Sequence, residues 1–511
     1  MDGGPTDDVP DEERDALLTI AHGAVVTSGG VSAQRALTSA VEFVLARGLG
    51  PVSYGVYALA FRIAQLLSRL VTFGSVPALQ RYLPDYEDDP MRQARVMGLA
   101  YATTLGVGLL IAAGVWMVAP WLNDVTVQQP AFPATMRLFG ALVLLLGLVM
   151  VYAGIFRANG SARGEVLFNK LLRPGVRLVG ALAALALGYS VVGVAGAFVV
   201  GLLVLVVVGF PITVSVTGVR PTLRGSRAEA RQFYDHAAPV AMSSLGKVFQ
   251  NRVDLLLVGA LLTAVAAGIY NVVLVLVAIA WIPLLSFNQL LPPVASRLYS
   301  DGQVGTLNDV YTSITRLIVT SVVPIIAVQL VFGREFLALF GPTYVRGYVP
   351  LAVYLGGVFV GSAVGATGWL LMMTDHQYAR MALDWLLAVL NVALTFLFVR
   401  AFGLAGAALG TSIAIAVQNV LQALLLRRFE GLWPFDASFL RPIAAGVAMT
   451  AVMFAVQTSV DNRLTVVIGV LVGLLAYTGA LRVIGIDPRD RLVVEELSSR
   501  YRARISDATQ F

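Results

Sequence analysis

The sequence predicts an all-α integral membrane protein of about 14 transmembrane helices, and three observations predict it: few charges, long apolar runs and an internal repeat. Of the 511 residues, 58% are hydrophobic and 13% charged, and the mean hydropathy is +0.79. Soluble domains carry about 25% charged residues. So few charges cannot coat a soluble body of this length.

The apolar runs give the spans. A spanning helix needs roughly 20 apolar residues, and Leu99–Val118, Leu138–Ile155 and Leu464–Ala480 meet that requirement cleanly. All such runs together place fourteen spans at 22–46, 54–80, 96–120, 135–156, 171–188, 191–218, 235–261, 264–296, 311–332, 348–373, 379–399, 403–426, 440–458 and 463–483. The first follows an acidic tail, Asp7 to Asp15. A secretory signal begins with a basic region instead, so that span is read as retained.

The net charge of +6 raises the question of nucleic acid. Its distribution answers otherwise. The tails and the even-to-odd loops hold 24 of the 36 Lys and Arg, the opposite loops 6, and the remaining 6 lie deeper inside spans. Such a bias is the positive-inside rule. It places both termini in the cytoplasm of a multi-pass protein of the cell membrane and excludes a nucleic-acid partner. The chain has no cysteine, hence no disulfide or thiol chemistry.

The repeat appears as five matches at a nearly constant offset of 210–215 residues. Ser32-Ala33-Gln34-Arg35 meets Ser244-Leu245-Gly246-Lys247, Val41-Glu42 meets Val253-Asp254, and Gly55-Val56-Tyr57 meets Gly268-Ile269-Tyr270. Val76-Pro77 meets Leu291-Pro292, and Gly193-Val194-Ala195-Gly196-Ala197 meets Gly403-Leu404-Ala405-Gly406-Ala407. The offset spans six helices, an even number, so both copies enter the membrane in the same direction. Two parallel six-helix repeats follow. The organisation is then a cytoplasmic acidic tail (1–19), an N-terminal lobe (20–218), a basic cytoplasmic linker (219–234), a C-terminal lobe (235–428), an extra helix pair (429–484) and a cytoplasmic tail (485–511).

Charges inside the spans are the candidate functional residues, because a charge at a helix centre costs about 2.5–3.5 kcal/mol on insertion scales. Span 1 carries Arg35 and Glu42, span 7 Lys247 and Asp254, span 2 Arg62 and Arg69. Each pair is spaced i, i+7, which puts both members on one face about 10.5 Å apart. With Arg252, five cations face two anions. That surplus predicts a cationic, water-accessible cavity for an anion. The competing reading pairs Arg35 with Asp254 and Lys247 with Glu42. Glu42 and Asp254 are also candidates for ion coupling. Arg177, near the end of span 5, is expected to snorkel, and Asp384 to pair with Arg380 one turn earlier. Asn391, Gln418, Asn419 and Gln422 either line the cavity or bond between helices. The three histidines, His22, His236 and His376, have no ligand-like spacing, so neither metal nor cofactor is implied. There is no GxxxxGK[ST] phosphate loop, no catalytic constellation, and no loop long enough for an extramembrane catalytic domain. The chain reads as a transporter and not an enzyme.

Arg47-Gly48-Leu49-Gly50-Pro51-Val52-Ser53-Tyr54-Gly55-Val56-Tyr57 and Pro77-Ala78-Leu79-Gln80-Arg81-Tyr82 resemble the second-helix region of the polysaccharide transporter family. That family lies in the multidrug/oligosaccharidyl-lipid/polysaccharide (MOP) flippase superfamily. Asp254 with Gly259, then Gly268-Ile269-Tyr270-Asn271, Phe332-Gly333-Arg334-Glu335-Phe336 and Gly403-Leu404-Ala405-Gly406-Ala407-Ala408, resemble its later signatures. The likeness covers spans 1 to 12. It implies a V-shaped pair of bundles working by alternating access, and basic cavity residues matching Arg35, Arg62, Arg69 and Lys247. The implied cargo is a polyprenyl-phosphate- or pyrophosphate-linked oligosaccharide, moved from the cytoplasmic to the outer leaflet for surface polysaccharide or glycoprotein glycan assembly. Membrane lipids are expected partners, and glycosyltransferases or a polymerase of the same pathway are admitted. Two rivals stay open: a cation-coupled exporter of drugs or metabolites, and a non-transporting scaffold for glycan enzymes.

Overall fold

In the computed structural model, which describes residues 10–161, 164, 166–249, 253–459, 464–493 and 496, the chain is helical almost throughout, and no strand occurs among the described residues. The α-helices run in the order α1 Asp11–Val71, α2 Ser75–Asp85, α3 Pro90–Asp124, α4 Ala131–Ala158, α5 Arg173–Ala186 and α6 Val191–Thr217. Then come α7 Arg227–Phe249, α8 Val253–Leu261, α9 Ala264–Ala280, α10 Ile282–Phe287, α11 Leu291–Ser300 and α12 Val304–Val331. The last are α13 Gly333–Phe340, α14 Tyr348–Ala363, α15 Thr367–Met373, α16 Gln377–Glu430, α17 Leu440–Ser459 and α18 Thr465–Ile484. A π-helical stretch, Val166–Leu172, leads into α5.

Helix occupies each of the fourteen expected segments, but the continuous helices long and apolar enough to cross a membrane number nine among the described residues. Two physical causes account for three of the difference of five. First, α1 and α16 each contain two expected spans, broken at Gly50 (φ 73°, ψ 170°) and Gly403 (φ 58°, ψ −132°). Only glycine takes such a φ without steric cost, and Pro51 then restarts the helix at a position where its missing N–H is harmless. Second, the expected span 264–296 is three helices, because Pro283 and the Pro292-Pro293 pair begin α10 and α11 and cannot continue the helices before them. The other two are the expected spans 171–188, where α5 has only 14 residues, and 235–261, part of which lies outside the described residues. The chain is a multi-pass membrane protein.

The chain forms two compact units, one of residues 36–272 and 399–407, the other of residues 1–35, 273–398 and 408–511. Their limits fall inside helices, away from the 219–234 linker. In the first unit α4 is the central helix, packed by α3, α6 and α2, with Phe132, Phe139, Val149 and Tyr152 buried. Its neighbours expose apolar rows outward: Leu109, Leu110, Trp116, Met117 and Trp121 on α3, and Val200, Leu203, Val204, Val207 and Val208 on α6. The α6 row recurs at i, i+3, i+4, i+7, i+8, the spacing of one helix face. Lipid is the solvent for such a face.

In the second unit α17 and α18 pack on each other and on α12 around Val319, Phe332, Met449, Met453 and Tyr477. Small residues allow the approach. A Cβ on Gly446 would lie 2.2 Å from the Val323 side chain, and one on Gly473 2.5 Å from that of Met453. The Tyr477 hydroxyl donates to the Thr320 carbonyl at 2.9 Å.

Candidate functional site

Glu42 is the centre of a buried polar cluster in the first unit. On a straight helix Glu42 and Tyr54 would stand about 18 Å apart. The break at Gly50 folds the chain back, and the Tyr54 hydroxyl donates to Glu42 Oε2 at 2.9 Å. Asn271 Nδ2 donates to the same oxygen at 3.3 Å and to the Tyr54 hydroxyl at 2.7 Å. Arg177 Nη1 meets Glu42 Oε1 at 2.8 Å, and Arg177 Nε donates to the Tyr57 hydroxyl at 3.1 Å. The guanidinium lies over the Phe61 ring, 3.9 Å from its centroid. Arg177 is 5% exposed and Glu42 6%. Arg177 therefore does not snorkel. Its charge is held inward by a carboxylate and two aromatic faces, which is cheaper than stretching to a membrane face. One donor, Nη2, is buried without a hydrogen-bond partner.

Asp254 occupies the position that the repeat matches to Glu42, and its chemistry differs. It is fully buried; Oδ2 accepts from the Tyr270 hydroxyl and Oδ1 from the Leu255 amide, both at 2.9 Å. No cation pairs with it among the described residues. Glu42 pairs with Arg177, and the expected pairing of Lys247 with Glu42 falls on a side chain outside the described residues.

The predicted cations separate. Arg62 is half-buried and donates to Gln65 Oε1 at 3.0 Å. Arg69 is exposed, and no carboxylate pairs with it among the described residues. Arg35, half-buried, belongs to the other unit. The Lys247 side chain and Arg252 lie outside the described residues. Sequence reasoning missed Arg173, half-buried on α5 one turn before Arg177 and likewise without an acidic partner among the described residues. The signal was present, since Arg173 and Arg177 are spaced i, i+4 on one helix face.

The polar residues of α16 bond within that broken helix and, at Gln422, to α15. Gln418 Nε2 donates to Asp384 Oδ1 at 2.8 Å, the Thr367 hydroxyl donates to Gln422 Oε1 at 2.8 Å, and Arg380 Nε lies 3.7 Å from Asp384. Asn391 accepts from the Thr395 hydroxyl, and Asn419 donates to the Ile415 carbonyl within its own helix.

A second charged cluster, also missed, sits at one end of the second unit. Arg316 is 1% exposed and faces three carboxylates: Asp436 at 2.9 Å, Asp487 at 2.9 Å and Asp490 at 2.7 Å. The Ser438 hydroxyl adds a contact at 2.6 Å. Burial pushes the Asp436 carboxyl up, but the Ser438 hydroxyl, Arg316 and two backbone amides outweigh it and hold it below the usual carboxylate range. Burial dominates at Asp490 and raises it, despite Arg316. The cluster ties the segment after α18 to α12 and to the turn before α17.

This is the fold of a polytopic helical membrane protein, with a charge-paired interior in one unit. The profile of the polysaccharide biosynthesis protein family matches residues 44–345, more than half of the chain. The chain belongs to that family. Two proteins of Haloferax volcanii are similar at 23% identity. A probable low-salt glycan biosynthesis flippase matches over 49% of this chain and about half, 53%, of its own length. A probable flippase matches over 96% of this chain and 98% of its own. Among solved structures, the lipid II flippase MurJ in an inward closed conformation aligns with TM-score 0.73 at 14% identity, over 90% of this chain and 98% of that one. An inward-facing MATE family multidrug resistance transporter of the MOP superfamily aligns at 0.64 and 19%, over 78% and 94%. These relatives are named as flippases and transporters, not as enzymes.

Proposed function

We propose that the chain flips a polyprenyl-phosphate- or pyrophosphate-linked oligosaccharide from the cytoplasmic to the outer leaflet of the cell membrane, by alternating access and with both termini in the cytoplasm. The observation that carries this reading is the charge balance of the first unit's helices. Arg177 is the cation that Glu42 neutralises, and Arg69 and Arg173 keep no carboxylate among the described residues. Guanidinium groups bind phosphate through paired, charge-assisted hydrogen bonds. Arg35, Arg62, Lys247 and Arg252 extend the proposed cationic set. An inside-negative potential favours outward movement of the anion by about 2.3 kcal/mol per charge per 100 mV.

The proposed parallel repeat has local support within the first unit. Gly55 and Gly268, matched at an offset of 213, pack directly on each other. A Cβ on Gly55 would lie 1.7 Å from the Ala264 carbonyl oxygen, and one on Gly268 2.7 Å from that of Pro51. Equivalent residues touch where a two-fold axis passes between them.

Asp254, buried and with no cation against it among the described residues, is the observation that favours the cation-coupled exporter. Reconstitution separates the readings. Purified protein in liposomes carrying a fluorescent polyprenyl-pyrophosphate sugar should move that lipid to the leaflet reached by an impermeant quencher. Transport of cationic drugs instead, abolished by Asp254→Asn, would replace the flippase reading.

A further inference from the structure

The segment between α6 and α7 holds a second, separate site. α6 ends at Thr217, and Gly218 turns the chain with φ 67°. The segment is then pinned to α3. The Thr222 amide donates to the Ala94 carbonyl at 2.9 Å, and Gly98 admits the Thr222 backbone so closely that a Cβ there would lie 2.2 Å from its oxygen. Arg95 completes the clamp, donating to the Arg224 carbonyl at 3.2 Å and to Glu229 at 2.9 Å. Beside this clamp lies a cavity of about 450 Å³, walled by Pro90, Met91 and Ala94 of α3 and by Val219, Thr222 and two arginines, Arg220 and Arg224.

The nearby acids are already spent. Glu229 is buried against Arg95, and Asp89 accepts from the Met91 and Arg92 amides and lies 3.4 Å from Arg92 Nε. Arg220, Arg224, Arg227 and Arg231 are all exposed, and none has an acidic partner among the described residues. Met91 in the wall is exposed too, at 57%, and so is Leu223, at 53%, which stands between Thr222 and Arg224 in the chain. Val216, just before the segment, lies on the outward side of α6. Apolar wall and unpaired guanidinium thus stand together where a membrane-facing helix ends.

We propose that this cavity binds the headgroup of an anionic phospholipid of the surrounding bilayer, with Arg220 and Arg224 on its phosphate and Met91, Val219 and Leu223 against its glycerol and upper acyl chains. Juxtamembrane arginine clusters attract anionic leaflets in general. What this site adds is a walled cavity and a backbone clamp that fixes the position of two of the arginines.

The test uses the full chain in neutral detergent, titrated with dioctanoyl-phosphatidylglycerol, dioctanoyl-phosphatidylcholine and inorganic phosphate. Two charge-matched variants accompany it: Arg220→Gln with Arg224→Gln, and, as a control, Arg428→Gln with Arg482→Gln, both exposed arginines elsewhere. Saturable phosphatidylglycerol binding is expected, weakened about tenfold in the first variant and less than about twofold in the control. Unchanged thermal midpoints show that both variants remain folded. Equal weakening in the two variants would reduce the site to general surface charge and overturn the proposal. Inorganic phosphate binding as tightly as the lipid would overturn the lipid assignment, and no saturable binding by the wild type would remove the site altogether. None of these outcomes depends on the transported cargo.

Discussion

Arg177→Met keeps most of the side-chain volume at the centre of the first unit and removes its charge. Glu42 then faces only the Tyr54 hydroxyl and the Asn271 amide. Removing one partner of a buried ion pair costs about 3–5 kcal/mol, because the other charge is left in a low-dielectric interior. The pair is 2.8 Å apart, and both side chains are under a tenth exposed, so the full range applies. Glu42→Gln leaves the guanidinium with the Tyr57 hydroxyl and the Phe61 face and should cost a similar amount. The double substitution strands neither charge. Its loss should fall short of the sum of the singles by about 2–3 kcal/mol, the coupling of two groups in direct contact. Equilibrium unfolding in mixed micelles, with all four forms compared, measures that coupling. Additivity within about 0.5 kcal/mol would refute the claim that Glu42 and Arg177 form one unit.

Gly55→Val should prevent stable folding or force a local rearrangement, since even a methyl group there meets a backbone carbonyl; a thermal midpoint near that of the wild type would contradict the close approach. Arg316→Met should free the segment after α18 by stranding three carboxylates, at a cost of about 3–5 kcal/mol, and limited proteolysis of that segment would show it. The same cluster predicts a pH dependence. The raised Asp490 carboxyl destabilises the docked segment at neutral pH, so protection should rise as pH falls through its folded value towards the ordinary carboxylate range. The depressed Asp436 contributes stability above the ordinary range and loses it as pH falls through its folded value, so protection should drop again at lower pH. Asp490→Asn should abolish the rise and keep the drop; a rise that persists would place the titrating group elsewhere.

The membrane class and most of the long helical segments were legible because composition and apolar run length are one-dimensional properties; the short α13, Gly333–Phe340, lies between two expected spans and was not. Gly50 and Gly403 were visible within motifs, yet their role as breaks was not, because a positive φ leaves no periodic trace. Partner choice was the least legible part. Glu42 and Arg177 are 135 residues apart, and no spacing rule joins them; only the reversal at Gly50 and the packing of α5 do. Arg316 carries no mark of its cluster in the sequence, since its three carboxylates come from two distant segments. Candidate cations, by contrast, were marked by cost: a charge in an apolar helix stands out whether or not its partner is known.

The central claim is that arginines of the first unit beyond the Glu42–Arg177 pair carry an anionic lipid headgroup. The direct measurement is the initial flip rate of a fluorescent polyprenyl-pyrophosphate sugar in liposomes containing wild type or the double variant Arg69→Gln with Arg173→Gln, at matched protein incorporation. The account predicts clear flipping by the wild type and a loss of about tenfold or more in the variant, the effect of about 1.4 kcal/mol at the headgroup. Equal rates in the two would contradict it and place the substrate's charge elsewhere in the molecule.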